Sequence, residues 1–457
     1  MPFLDRSRSI MNLNPAETSF FREAISISNQ AKQSRRSDLD DTTFGNFSSN
    51  QIALMESYGN TSANWELVFI QKDLEPLTFL RIRRCTFNGL IFIRNLTGEL
   101  DDVEGTSLPS GLYDSVFTGM CFISESCRVS NTGFVSNLFV GSRVGIISCG
   151  SVTCGEYFRP SSESFSEVVA ITVGSETGGR EVFVSAGMTF LAICEQIFCE
   201  KGAASVTSKS CTSKCSFSVI GDSTTILRCD RVHNSHFGPN CRISSSNLDS
   251  CILLSTPSKS IVVSAGARLS HCILNQSCSA TNGCLADHLF MCENSSIGDC
   301  ARISHCVLGP DSSIAGGECH SSLLGPFVGF HHQSLLIASV WPQGRGNIAY
   351  GAKIGANHTG RVSDQECFPG EGIFFGLGCS IKFPSNLLES PYSIVTAGSL
   401  FPPQQISFPF SLISTIDRPL ICSLNRSLPS GGNIIPQGAI TLCPGWVISS
   451  NPYMIDR

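Results

Sequence analysis

Between residues 219 and 325, aliphatic side chains recur about every six positions, each trailed by glycine or another small residue. Ile220–Gly221, Ile297–Gly298 and Leu308–Gly309 each open a unit of the form aliphatic–Gly–x–x–small–x, and Phe237–Gly238 is a variant. From Ile297 the next aliphatic residue is Ile303, and from Leu308 it is Ile314. Three longer segments superpose: NCRISSSNLDSCIL from Asn240, GARLSHCIL from Gly266 and CARISHCVL from Cys300. A weaker set lies upstream at Cys121, Cys127, Val140–Gly141 and Val144–Gly145. An amphipathic helix would place apolar residues at i, i+3, i+4 and i+7, which this stretch does not do. Its glycine and β-branched content also opposes helix.

A period of six has a specific physical meaning. Three short strands, each turning into the next, form one three-sided coil whose aliphatic residues point inward and stack on their equivalents in neighbouring coils. One coil cannot bury its own face, so several must stack. Parallel pairing between coils satisfies their backbone groups. At about eighteen residues per coil, 219–325 has room for roughly six.

Other segments break the pattern. Residues 1–47 are polar and read as a poorly ordered extension. Residues 48–84 read as a short helix, Ser48–Tyr58 with a serine cap, and a leading strand. Residues 85–185 form a first β-helix section, ending in strands at Val168–Val184 around a Gly-Gly turn. Residues 186–218 hold an inserted helix, Met188–Glu200, with Phe190, Ile193, Ile197 and Phe198 at helical spacing, then a Ser/Thr/Lys loop. Residues 219–400 are the main β-helix. In 401–457 the prolines at 402, 403, 409, 419, 436 and 444 predict an irregular tail that wraps the end of the domain or a neighbour. The expected class is thus mainly β.

Charged residues are only 15% of the chain, against roughly 25% in ordinary soluble domains, which suits tight turns better than solvated helices. The net charge of −6 and the absence of a basic stripe argue against nucleic acid or an anionic membrane surface as partner. No apolar run approaches the ~20 residues of a spanning helix. No basic region followed by an apolar stretch opens the chain, so a cytoplasmic location is expected, with organellar targeting left open. There are 23 cysteines, an odd number. Cys121 and Cys127 are six apart, as are Cys272, Cys278 and Cys284, and Cys300 and Cys306. That recurrence predicts a small buried apolar residue at one repeat position, in a reducing compartment, rather than a disulfide framework or a zinc ribbon.

These repeats resemble the hexapeptide-repeat superfamily typified by UDP-N-acetylglucosamine acyltransferase. The segment CARISHCVLGPDSSI, 300–314, also resembles the β-helical tails of sugar-nucleotide pyrophosphorylases. The order of landmarks is similar to an uncharacterised bacterial family of trimeric, acyltransferase-like β-helix proteins. Those landmarks are Gln51–Val68 with Trp65, Glu176–Val182, Gly325–Ile337 and Phe408–Ile413, and the likeness covers roughly 48–415. The resemblance implies a left-handed parallel β-helix and a homotrimer with sites between its prisms. It also implies a histidine base, a sugar or nucleotide-sugar as small-molecule substrate, and acyl-CoA or acetyl-CoA as co-substrate.

Histidines, acids, arginine and glycine are most concentrated in 325–376. Adjacent His331 and His332 precede a glycine-rich loop, Gln343–Gly351, and His358, Arg361, Asp364, Glu366 and Glu371 follow. On a strand, His331 and His332 would face opposite sides. The acyl-transfer reading takes His331, His332 and His358 as catalytic bases removing the proton of an attacking hydroxyl or amine. Asp364 or Glu366 would orient the imidazole, Arg361 would hold a phosphate or carboxylate, and Glu371 would support the site. Arg180, in the polar turn Glu176–Glu181, is a further substrate-binding candidate, weighed against a simple pairing with an acid. A non-catalytic scaffold for assembly or sugar-nucleotide binding is the alternative. A third reading, a metal lyase like the gamma-type carbonic anhydrases, would turn the same three histidines into ligands; the site is expected to hold no metal. His305 and His320 read as corner residues, and His233, His236, His271 and His288 carry no motif.

Overall fold

The structure, a computed structural model, describes residues 44–101, 105–155, 169–174, 180–198, 218–355, 366–416 and 440–450. These residues are mainly β, a parallel β-solenoid of about 14 turns with four short helices. The chain divides into two units, 1–168 with 185–188 and 208–261, and 169–184 with 189–207 and 262–457.

In the first unit, helix α1 (Ser49–Ser57) forms where its cap was expected. Ser48 accepts from Gln51 N while the Gln51 side chain accepts from Ser48 N, a reciprocal cap that satisfies free amides of the first turn. A second short helix, α2 (Pro76–Leu80), starts on a proline. Strands β1 (Thr86–Ile93), β2 (Val116–Ile123) and β3 (Phe134–Val140) pair in parallel. Each is two short strands joined across a corner, of two residues in β1 and β2 and of one in β3. At that corner stand Gly119 and Asn137, both at positive φ, a conformation that glycine and asparagine adopt at low cost. A Cβ on Gly89 would lie 2.0 Å from the Gly119 carbonyl oxygen, so this corner of β1 admits only glycine. Asn137 binds the rungs on either side, accepting from Met120 N and donating to Cys154 O.

In the second unit, strands β4 (Val169–Val173) and β5 (Arg180–Val184) make an antiparallel hairpin, followed by helix α3 (Phe190–Phe198). The Gly-Gly turn expected between the strands lies outside the described residues. Helix α3 buries Ile193 and Ile197, but Phe198 of the expected stripe is exposed. The solenoid itself runs through β6 (Arg268–Asn275), β7 (Leu285–Met291), β8 (Arg302–Leu308) and β9 (Glu318–His320). Arg268 pairs with Leu285 and Leu285 with Arg302, a rung every 17 residues rather than the expected eighteen. The missing residue is at the corner inside β6, β7 and β8, where one left-handed residue makes the whole turn. On the remaining side the inward residues stack in one column, Val263, Ala280, Ile297, Ile314, Phe330, Ile348, Phe375, Val395 and Ile413, all buried and in register. Each large member contributes about 1.5–3 kcal/mol by leaving water.

The described start of the proline-rich end, 401–416, departs from expectation, while 417–439 and 451–457 of the expected tail lie outside the described residues. Rungs continue through Leu400–Phe401 and Gln404–Gln405 to β10 (Leu412–Thr415). Pro402, Pro403 and Pro409 fall between strands, where a fixed φ helps the turn and no ladder N–H is lost. Strand β11 (Ile440–Cys443) then pairs antiparallel with β10, covering the open edge, and helix α4 (Trp446–Ser450) follows.

The described cysteines are all free, and all but Cys194, Cys300 and Cys443 are buried. Burial pushes the thiols of Cys121, Cys127, Cys241 and Cys278 up to about 12. They are packing residues rather than nucleophiles.

His236, in the first unit, is buried and accepts a hydrogen bond at Nδ1 from Val219 N. Burial pushes its imidazole down from 6.5 to about 3. The unfolded chain therefore takes up a proton below pH 6.5 that the folded unit refuses until about pH 3, and stability is lost as pH falls through that window. Between pH 7 and pH 5, wild type is expected to lose roughly 2 kcal/mol more unfolding free energy than His236→Gln. Urea titrations at the two pH values measure this, and equal losses would remove His236 from the account.

Candidate active site at a corner of the second unit

The one-residue corners of β6, β7 and β8 are all histidine: His271, His288 and His305, at φ 50, 51 and 52. Histidine is among the few non-glycine residues enriched in this region of backbone space. Because the corners are in register, the three rings stack. His271 and His288 lie 4.6 Å apart at 22°, and His288 and His305 lie 4.6 Å apart at 14°. One rung further on, the same corner holds Ser321 at φ 47.

The outward residue just before each corner supplies the partners. Ser270, Asp287, Ser304 and His320 face one another in register. His288 Nδ1 lies 2.8 Å from Asp287 Oδ2, and His271 Nδ1 lies 3.4 Å from Asp287 Oδ1 and 2.9 Å from Ser270 Oγ. The Asp287 carboxylate accepts only, so the His288 nitrogen facing it carries the proton. Ser304 Oγ and His320 Nδ1 form a separate pair at 2.7 Å. Burial alone would raise the Asp287 carboxyl, but the hydrogen bond and charge of His288, with bonds from His271 and Ser270, outweigh it and hold Asp287 below the ordinary range. The His305 imidazole is lowered by burial and by the neighbouring His288, and its Nδ1 is buried with no hydrogen-bond partner among the described residues. The His288 side chain is 29% exposed and that of Asp287 48%, so solvent and small molecules reach both.

The hairpin flanks this corner. Strand β4 packs against β7 and β8, and Gly174 N donates to the Ser321 carbonyl at 2.8 Å. Arg180 of β5 pairs with Glu366 at 3.1 Å.

The residues singled out from sequence are spread over three contact sets. His331 and His332 are exposed, at a four-residue corner rather than on a strand, and His331 Nε2 lies 3.2 Å from Asn347 Nδ2. Glu366 is engaged by Arg180. Glu371 lies 3.5 Å from Arg345 and accepts from the Tyr392 hydroxyl at 2.8 Å; burial and that carboxylate raise the phenol. Neither carboxylate pairs with His331 or His332 among the described residues. His358, Arg361 and Asp364 lie outside the described residues. The sequence did carry a signal for the histidine stack. The aligned segments GARLSHCIL and CARISHCVL contain His271 and His305, and LADHLFM, midway between them, places His288 at the same position.

The fold thus defines a β-solenoid with a solvent-reached histidine and carboxylate corner. A family described as "Domain of unknown function (DUF4954)" matches residues 44–362, and the chain belongs to that family. An "Uncharacterized protein" of Treponema pallidum (strain Nichols) is 25% identical over 386 residues, covering 81% of this chain and 52% of that protein. The chain therefore spans about half the length of the curated relative it matches. Among the described residues no helix is long and apolar enough to cross a membrane.

Proposed function

We propose that the chain is an acyl- or acetyltransferase of the hexapeptide-repeat kind, a left-handed coil assembled as a homotrimer, with His288 as general base. The observation that carries the reading is the 2.8 Å contact between His288 Nδ1 and Asp287 at a solvent-reached corner. With Nδ1–H held by the carboxylate, the Nε2 lone pair is free to accept a proton. His288 takes the proton of an acceptor hydroxyl or amine, which attacks the thioester carbonyl. The carbon–sulfur bond breaks, and the departing thiolate takes the proton back from His288. The acceptor is a sugar or nucleotide-sugar and the donor an acyl-CoA such as acetyl-CoA. Arg361, Asp364, Glu366, Glu371 and Arg180 remain candidates for holding them.

A second base position is His331 with His332, favoured by their exposure on adjacent corner residues, with His358 as the third member of that set. Thiol release from acetyl-CoA, measured against a panel of sugar and nucleotide-sugar acceptors, tests the reading. Acceptor-dependent release supports it. No release with any acceptor favours a non-catalytic assembly or sugar-nucleotide scaffold.

A further inference from the structure

We infer that His271, Asp287 and His288 form a binding site for one transition-metal dication of the zinc class. Nitrogen atoms of the two imidazoles and an oxygen of the carboxylate all lie within 4.8 Å of one another. Zinc binds such groups at about 2.0–2.2 Å, so the donors must close up only by side-chain rotation. The backbone that carries them is fixed. Both histidines occupy left-handed corners, and the flanking pairs Ser270–Asp287 and Cys272–Leu289 are in parallel register. The stack itself holds the rings face to face, with His305 closing one side of His288.

The chemistry of the donors selects the ion. Two neutral imidazoles and one carboxylate suit zinc, cobalt or nickel better than magnesium or calcium, which want an all-oxygen shell. Asp287 supplies the negative charge, and Ser270 Oγ, 2.9 Å from His271 Nδ1, stands beside the donor set. The side chains of His271 and Asp287 are 44% and 48% exposed, so an ion enters from solvent and water fills the remaining coordination position. The site goes beyond the acyl-transfer reading and does not depend on it. The two uses share His288, so a bound ion would occupy the base and act as an inhibitor of transfer.

The test uses the purified full chain, stripped with chelator and titrated with Co2+ in the absence of any acyl donor. The expected result is visible d–d absorption saturating at one Co2+ per chain and displaced by Zn2+. His271→Ala and His288→Ala, each checked for an unchanged β circular-dichroism spectrum, should each weaken Co2+ binding by at least about 100-fold. The double variant His331→Ala/His332→Ala, which removes the other exposed imidazole pair, should bind as wild type. Binding that survives in His271→Ala and His288→Ala, or that is lost in the His331/His332 variant, overturns the site, as does no Co2+ spectrum at all. A chain that binds cobalt but, assayed free of metal, releases no thiol with any acceptor would sink the transferase reading and leave the metal site standing.

Discussion

His288→Ala is expected to slow acceptor-dependent thiol release from acetyl-CoA by about 10²–10⁴-fold, the usual contribution of a positioned general base. The argument rests on two facts about one corner. The Asp287 carboxylate accepts a hydrogen bond from the Nδ1–H of His288, and the His288 ring is held by stacking against His271 and His305. His271 Nδ1 reaches the same carboxylate only at 3.4 Å, and His305 Nδ1 has no hydrogen-bond partner among the described residues, so neither ring is oriented as His288 is. Asp287→Asn should also slow release, because an amide can present its NH2 to Nδ1 and so favour the tautomer with the proton on Nε2. The double variant His331→Ala/His332→Ala should stay within a few-fold of wild type. The opposite pattern, with that double variant inactive and His288→Ala unaffected, would move the base to the corner at 331–334.

The largest expected effect on stability is at Trp341. Its ring is fully buried, meets Phe375 edge-on at 5.8 Å, and donates from Nε1 to the Gly370 carbonyl at 2.8 Å. A Cβ on Gly346 would lie 2.1 Å from the indole, so the neighbouring turn is moulded to this ring. Trp341→Ala removes the ring, opens a cavity and leaves the Gly370 carbonyl without its donor. The expected loss is about 3–5 kcal/mol. In a unit of this size that lowers the melting temperature by roughly 6–20 °C. Trp341→Phe keeps most of the apolar volume and loses the hydrogen bond, so its cost should be about 1–3 kcal/mol. Thermal melts followed by circular dichroism measure both. A Trp341→Ala melt within 2 °C of wild type would show that the second unit does not depend on this packing.

The solenoid was open to reading from sequence because its determinant is local. One inward aliphatic per strand produces the recurrence from Ile220 to Ile314, and the same residues fill the buried columns. The six-residue period predicts a coil one residue longer than the 17 observed, since a corner made by a single left-handed histidine leaves no mark in a hydrophobic pattern. Prolines at 402, 403 and 409 suggested that regular coils end at 400, whereas proline fits between strands as readily as it breaks them. The candidate site was harder to see. Its members are ordinary residues 16 or 17 positions apart, and the middle rung replaces Ser and Cys by Asp287 and Leu289, so LADHLFM does not look like its neighbours SHCIL and SHCVL. The pairing of Arg180 with Glu366 spans 186 positions and is visible only once the hairpin has docked. Histidines and acids are densest along the sequence in 325–376, but density along the chain is not proximity in space.

The most direct measurement is the protonation state of His288 at neutral pH. Long-range proton–nitrogen correlation spectra of chain labelled with nitrogen-15 histidine, assigned with His288→Ala, report which ring nitrogen carries the proton. The Asp287 contact requires a proton on Nδ1 and a free lone pair on Nε2, and that tautomer is the expected result. A His288 protonated on Nε2 alone would mean that Asp287 does not orient it, and would contradict the site as described.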